Sequence, residues 1–396
     1  MPFRPMLTAI SAGLILATAL PAMGEGEITP ETAAKTVKWQ LSVTGNSGTW
    51  KSRNLDNGGS QSQVLTQIVY TGDGWGAGVT GRAVKNEYHS VQSPDPVSFT
   101  TMTDTTASAY YTIKKDVYVI RCALDAGLPT GKSSYTTSEL KSVITDPVNQ
   151  DLMILNQFGF GLNIAPNVMI SRKISQKFTV GAGLRYDYRG PFDITRDQDD
   201  EKIDPGDRFL FLFSGAYERS ASGYLMLTAA YNRGSADKRG SKIIFREGDS
   251  YFAEVRYIAI WSETTKSSIS VTYSSQAKNE FLDASKTLSP ELHNSNNNWW
   301  EIFLYTMNRR TDLLAVTGIA GFKQVSGNQY QAGHTLHDGG RSKYYLEPGL
   351  ALIFRETFYS TVKLRYTSVE DKKDGFSPEN STYGVYNLDV AMVYNF

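Results

Sequence analysis

The stretch 386–396 alternates apolar and polar residues with a strict period of two. Tyr386, Leu388, Val390, Met392, Tyr394 and Phe396 share one face, and Asn387, Asp389, Ala391, Val393 and Asn395 share the other. Successive side chains of a strand point to opposite sides, so this strand is apolar along one whole face and carries a charge on the other. A soluble sandwich can also end on such a strand, but a wall with hydrocarbon outside and water inside requires it. The pattern recurs upstream. Val37, Trp39, Leu41 and Val43 oppose Lys38, Gln40, Ser42 and Thr44; Phe178, Val180, Leu184 and Tyr188 oppose Thr179, Arg185 and Asp187. Ile269, Val271 and Tyr273 oppose serines and Thr272, and Val362, Leu364 and Tyr366 oppose Thr361, Lys363 and Arg365. Stretches 105–113 and 210–217 are less regular, and a slip of one residue there inverts their facing.

The connectors alternate in length. Short ones fall at 71–74, 114–116, 172–177, 219–223, 262–266, 309–312 and 355–357. Long ones fall at 45–59, 86–103, 129–155, 190–205, 234–248, 277–296, 324–342 and 370–381. Seven short and eight long connectors make sixteen strands, with both chain ends on the short-turn side. The expected fold is all-β: one domain, 25–396, forming a transmembrane antiparallel up-and-down β-barrel of about 16 strands. Residues 1–24 read as a signal peptide, with Arg4, an apolar run from Met6 to Leu20, and small residues Ala22 and Gly24 before the cleavage point. No later run of about eighteen apolar residues offers a transmembrane helix.

Composition narrows the function. Forty basic against forty acidic residues argue against nucleic acid as a partner. The 23 Tyr, 18 Phe and 6 Trp suit interfacial girdles. A single cysteine, Cys122, excludes an intramolecular disulfide and covalently attached haem. Two nucleotide-binding patterns read as barrel features instead. Residues 126–133 fit a permissive phosphate loop, but Arg121 and Asp125 lie on the preceding strand and no amphipathic helix follows. Gly76, Gly78 and Gly81 match a dinucleotide fingerprint within a period-two stretch. His334, His337 and Asp338 share a loop, and His89 and His293 lie in others, without the third and fourth ligands a transition metal needs. The acidic run Asp197–Glu201 lacks the spacing of a calcium loop. No metal, cofactor or catalytic constellation is expected, and the chain does not read as an enzyme.

Charges on the polar face mark a candidate pore. Glu254, Glu301, Glu347 and Asp389 lie about seven residues from the short-turn end of their strands, as do Arg82, Arg185 and Arg365; Arg121 and Lys363 lie slightly lower, and Arg256 joins them. At about 3.3 Å per residue and a tilt near 45°, that depth is about 16 Å, the middle of the apolar band. The belt reads as mostly basic on the first half of the barrel and mostly acidic on the second. A charge at that depth needs water or a partner. Either a transverse field crosses an aqueous pore, or neighbouring opposite charges satisfy one another. Sixteen strands are generally too wide for side chains alone to fill, which favours the pore.

The closing strand, with Tyr394 and Phe396, resembles the terminal signal of Gram-negative outer-membrane β-barrels, whose last aromatic residue is read by the barrel-assembly machinery. The long connector after the fifth strand resembles the constriction loop of general porins; Lys132, Glu139, Lys141, Asp146 and Asp151 then narrow the channel, and residues 138–145 form a short helix. The porin Pro-Glu-Phe-Gly-Gly signature is absent. Residues 127–131 and the closing hairpins also resemble the outer-membrane transporter family linked with phenol degradation. These resemblances imply a cell outer-membrane channel with periplasmic termini, set in lipid, for passive diffusion of small solutes. They admit a homo-trimer without selecting one. Two alternatives stand beside the porin: a selective channel for hydrophobic or aromatic compounds, and a non-transporting barrel serving as adhesin or as sheath for a partner protein.

Overall fold

The structure, a computed structural model, describes residues 39–396 apart from 55–56, 91–92, 137–138, 140–158, 160, 194–201, 221, 284, 356 and 376–378. The expected signal peptide and the acidic run Asp197–Glu201 therefore lie outside the described residues, as do Lys141, Asp146 and Asp151. The first strands are β1 (Trp39–Ser52), β2 (Gly58–Thr71), β3 (Trp75–Ser90), β4 (Ser93–Met102), β5 (Thr105–Lys115) and β6 (Tyr118–Leu128). There follow β7 (Asn163–Lys173), β8 (Phe178–Arg189), β9 (Ile203–Asp204), β10 (Arg208–Ser220), β11 (Gly223–Gly234), β12 (Asp237–Arg239), β13 (Lys242–Arg246) and β14 (Ser250–Ile260). The chain closes with β15 (Thr265–Gln276), β16 (Glu280–Leu282), β17 (Leu288–Pro290), β18 (Trp299–Arg309), β19 (Leu314–Val325), β20 (Arg341–Arg355), β21 (Phe358–Asp371) and β22 (Ser381–Asn395).

Seventeen of these segments form one antiparallel sheet, and β1 pairs with β22 to close it. Because β4 and β5 both pair with β3, on either side of a bulge at Thr103–Asp104, they are one wall strand, and the barrel has sixteen. The short connections that follow β2, β5, β7, β10, β14, β18 and β20 occupy one end, together with Trp39 and Phe396. The other end carries the longer loops. The first two are shorter than the hydropathy pattern predicts: β1 runs to Ser52, and β3 and β4 leave only 91–92 between them. Above the hydrocarbon both faces meet water, so strands continue there without apolar alternation, and a reader of hydropathy sees loop.

The outer surface confirms the lipid face. Trp39, Val79, Tyr111, Leu124, Leu184, Leu227, Val271, Leu304, Leu364, Leu388 and Phe396 all stand exposed, with polar or small residues between them turned inward. The two irregular stretches resolve in the same way. Tyr111 and Ile113 face out from β5, and Phe209, Phe211, Phe213 and Tyr217 face out from β10, leaving Leu210 and Leu212 buried inside. An unpaired backbone amide in hydrocarbon costs several kcal/mol, and the closed ladder leaves no edge. Two prolines interrupt the hydrogen bonds without shifting register: Pro166 between β7 and β8, and Pro348 between β20 and β21.

At the long-loop end, three successive loops contribute β9, β12, β13, β16 and β17 to a small separate sheet. Phe245 packs on Phe281 with ring centroids 5.2 Å apart, and Arg246 pairs with Glu280. The next loop joins this cap through Asn328 Nδ2, which donates to the carbonyl of Ser295 at 3.2 Å.

Candidate functional site: the inner face of the barrel

All ten candidate pore residues sit on strands of the wall, at positions alternating with the lipid-exposed side chains. Their partners, however, are neighbours on the same wall. Arg185 Nε donates to Asp187 at 2.6 Å while its Nη1 pairs with Asp125 on β6. Arg256 Nε donates to Glu254 at 2.7 Å, and Arg365 Nε donates to Glu347 at 2.6 Å. Glu301 accepts the Tyr345 hydroxyl at 2.7 Å, and Asp389 accepts Asn46 Nδ2 at 3.2 Å. Arg121 lies over the Tyr110 ring at 3.7 Å, and Lys363 stands opposite Asp389 in the β21–β22 register. Arg82 lies on β3 beside the bulge, its carbonyl accepting the Thr103 N–H at 2.9 Å. Alternate residues of one strand and register partners on the next lie within about 4.5–8 Å, much closer than the far wall, so short-range pairing prevails over a transverse field. The contacts described for these charges are with neighbours on the same wall.

Pairing at this depth sets what the lumen offers a solute. A guanidinium held by one carboxylate, as in Arg256–Glu254 and Arg365–Glu347, presents little net charge, and the desolvation each ion suffers is offset by its partner. Tyr345 fits beside β19 because residue 321 is glycine; a Cβ there would meet the tyrosine ring at 2.1 Å.

Between the pairs lie apolar surfaces that the hydropathy pattern concealed. Leu210, Leu212 and Ala230 form a buried cluster on the inner face of β10 and β11, with Met169 and Phe252 packed against it. Phe252 in turn meets Trp299 edge to face at 6.5 Å. A second cluster, Trp50, Val369, Tyr383 and Val385 with Tyr88, lines the inside near the long-loop end. Strand β10 is apolar on both faces, so alternation alone could not separate its lipid side from its inner side. The signal that marks it is the unbroken run Phe209–Phe213.

The connector after β6 begins by folding inward. The Gly131 N–H donates to Asp104 Oδ1 at 2.8 Å, so the amide a phosphate loop would offer is committed to a carboxylate. Tyr135 is buried edge to face on Phe99, an inner-face residue of β4, at 5.9 Å. Lys132 pairs with Glu139 at 2.5 Å, and the Glu139 carboxylate accepts the Thr136 N–H at 2.9 Å while the Thr136 hydroxyl accepts the Glu139 N–H at 3.2 Å. This reciprocal cap is the start expected of a helix, and Glu139 has helical backbone. Gly76, Gly78 and Gly81 all lie on or within β3, a wall strand.

The histidines gather without forming a metal centre. His334 stacks on Tyr330 at 4.4 Å, His293 meets the same ring edge-on at 5.4 Å, and His337 Nδ1 lies 2.6 Å from the Tyr330 carbonyl oxygen. Among the described residues no group of three or more His, Cys, Asp or Glu is placed to hold a metal ion. Cys122 is exposed on the lipid side of β6.

No family model and no curated protein matches this chain. Similar solved structures include a bacterial polysaccharide outer membrane secretin, 10% identical over 91% of this chain and 98% of that chain, with a TM-score of 0.46. The CymD monoaromatic hydrocarbon channel is 10% identical, covering 91% and 89%, with a TM-score of 0.44. A Pseudomonas aeruginosa FadL homologue is 8% identical, covering 91% and 90%, with a TM-score of 0.45. The chain is a membrane-spanning sixteen-stranded β-barrel, and what it carries is argued below from its own inner face.

Proposed function

We propose that this barrel is an outer-membrane channel selective for small hydrophobic or aromatic compounds. The observation that carries the reading is the apolar strip Met169, Leu210, Leu212, Ala230, Phe252 on the inner wall. The inside of a water-filled pore is polar, whereas apolar surface with a few convergent polar groups is what small-molecule sites present. Pairing of Arg185, Arg256 and Arg365 with their neighbouring carboxylates supports the same reading, since it weakens the field that would sort ions. The apolar exterior and the sixteen strands support an outer-membrane location, and the short turns at the end that holds Trp39 and Phe396 support a periplasmic placement of that end. A general diffusion pore is the second reading, favoured by the width that sixteen strands impose.

Uptake of labelled toluene and of labelled lactose by cells stripped of their own outer-membrane channels separates the two. Expression of the protein is expected to raise toluene uptake several-fold more than lactose uptake, and Leu212→Asp to remove that excess. Equal stimulation of both solutes would replace the selective channel with the diffusion pore.

A further inference from the structure

On the outer face, towards the long-loop end, aromatic rings run from strand to strand. Trp300 lies 5.0 Å from Phe322 and Phe322 lies 4.7 Å from Tyr344, centre to centre, while Tyr366 lies 5.0 Å from Tyr386. Below this girdle the lipid face of β19 carries little bulk. Ala320 stands in register between Leu304 and Leu346, both exposed, and Gly318 is the next residue on that face. The small residues leave a groove of about 490 Å³, lined by Ile302, Leu304, Ala320, Leu346, Tyr366 and Ser368. Its walls are almost wholly apolar, so a hydrocarbon chain fills it in preference to water.

Two exposed cations stand over the girdle beside the groove. Arg53 Nη2 donates to the Tyr366 hydroxyl at 2.9 Å, the one hydrogen bond its guanidinium makes among the described residues. Lys51 faces the same way, since Trp50 and Ser52 on either side of it are turned inward and buried. Its register partners are Gly58 and Gly384, which carry no side chain to meet it. One carboxylate opposes them on this face. Glu370 is exposed on β21, across β22 from Arg53, and its register partner Thr382 accepts the Arg53 N–H at 2.8 Å.

We infer that this sector of the outer face binds a phosphorylated glycolipid of the outer leaflet, with phosphate on Arg53 and Lys51 and an acyl chain in the groove. Tyr366 joins the two halves: its hydroxyl meets Arg53 and its ring lines the groove. A guanidinium offers phosphate two parallel N–H donors, and the Lys51 ammonium adds a point charge. The site lies at the long-loop end, which faces the exterior in the orientation argued above, so the lipid it meets belongs to the outer leaflet. The inference rests on that outer-membrane reading and is independent of what the lumen conducts.

Native mass spectrometry of the full-length barrel, refolded in detergent and titrated with bisphosphorylated lipid A or with phosphatidylglycerol, tests the site. Lipid A is expected to bind about tenfold more tightly. Arg53→Gln and Lys51→Gln should each weaken it about fivefold, the scale of one basic side chain at an anionic lipid surface, and Glu370→Gln should tighten it. Ala320→Phe fills the groove while leaving every charge in place, and should weaken lipid A about threefold. Undiminished binding in heat-modifiable, folded Arg53→Gln and Lys51→Gln barrels would overturn the site. So would undiminished binding in Ala320→Phe, which would take the chain out of the groove. Equal binding of lipid A and phosphatidylglycerol by the unaltered protein would replace it with an unspecific anionic annulus. Toluene uptake, measured as above, decides the channel reading separately.

Discussion

Arg185 sits between two carboxylates, Asp125 and Asp187, inside a wall that gives neither of them full access to water. Removing the guanidinium strands both. Arg185→Ala is expected to cost about 3–5 kcal/mol, the scale for breaking a buried ion pair, against a smaller loss for Arg185→Lys. Denaturant unfolding of refolded barrel in detergent measures the difference, and equal stability of the two variants would show that the pairs are solvated after all. Outside the membrane the same logic runs through Asp283. Its carboxyl is held well below the usual range by the Ser285 hydroxyl first, then by the Thr287 N–H and the Ser289 and Thr287 hydroxyls. A depressed carboxyl contributes stability above its ordinary value of 3.8 and loses it as pH falls through the lower folded value. The Ser285 and Thr287 amides are therefore expected to resist hydrogen exchange at pH 5 and to lose protection well below about pH 4. In Asp283→Ala they should exchange freely at both, which pH-independent protection in the unaltered loop would contradict.

At the scale of single strands, β22 does two jobs. It ends the barrel and it pairs back to β1, where Phe396 N–H donates to Trp39 at 2.9 Å and the two rings stack with centroids 6.5 Å apart. Deleting Phe396 is expected to lower the fraction of heat-modifiable folded barrel on gels while leaving total envelope-associated protein unchanged; an undiminished folded fraction would remove the terminal aromatic from the assembly signal. Strands such as β22, β8 and β15 were legible from sequence because lipid imposes one apolar face on them, and period two has few other causes. The upper parts of β1 and β3 were not, since water on both sides removes that demand. The two- and three-residue strands of the cap leave no periodicity at all. Among the charges, the belt was legible by depth, but its pairing was not, because partners such as Asn46 and Tyr345 carry no charge to count.

For the molecule as a whole, direction in the membrane is the property most open to test. Impermeant maleimide should label His334→Cys on intact cells, and should reach Ser222→Cys or Thr311→Cys only once the outer membrane has been opened. The reverse pattern would invert the barrel. Closure carries a different consequence, one of timing. The Gln40–Asn395 hydrogen bond joins residues 355 apart, whereas every other wall pair links strands that follow one another along the chain. Local hairpins can form as soon as both their strands are present, but this seam must wait for the final residues and meets the largest loop-closure entropy in the molecule. Until then the growing sheet has two open edges, each a template for pairing with another chain. The slowest step of assembly is therefore expected to be the joining of β1 to β22, and the span before it is the period in which the unfinished barrel must be kept from its own copies.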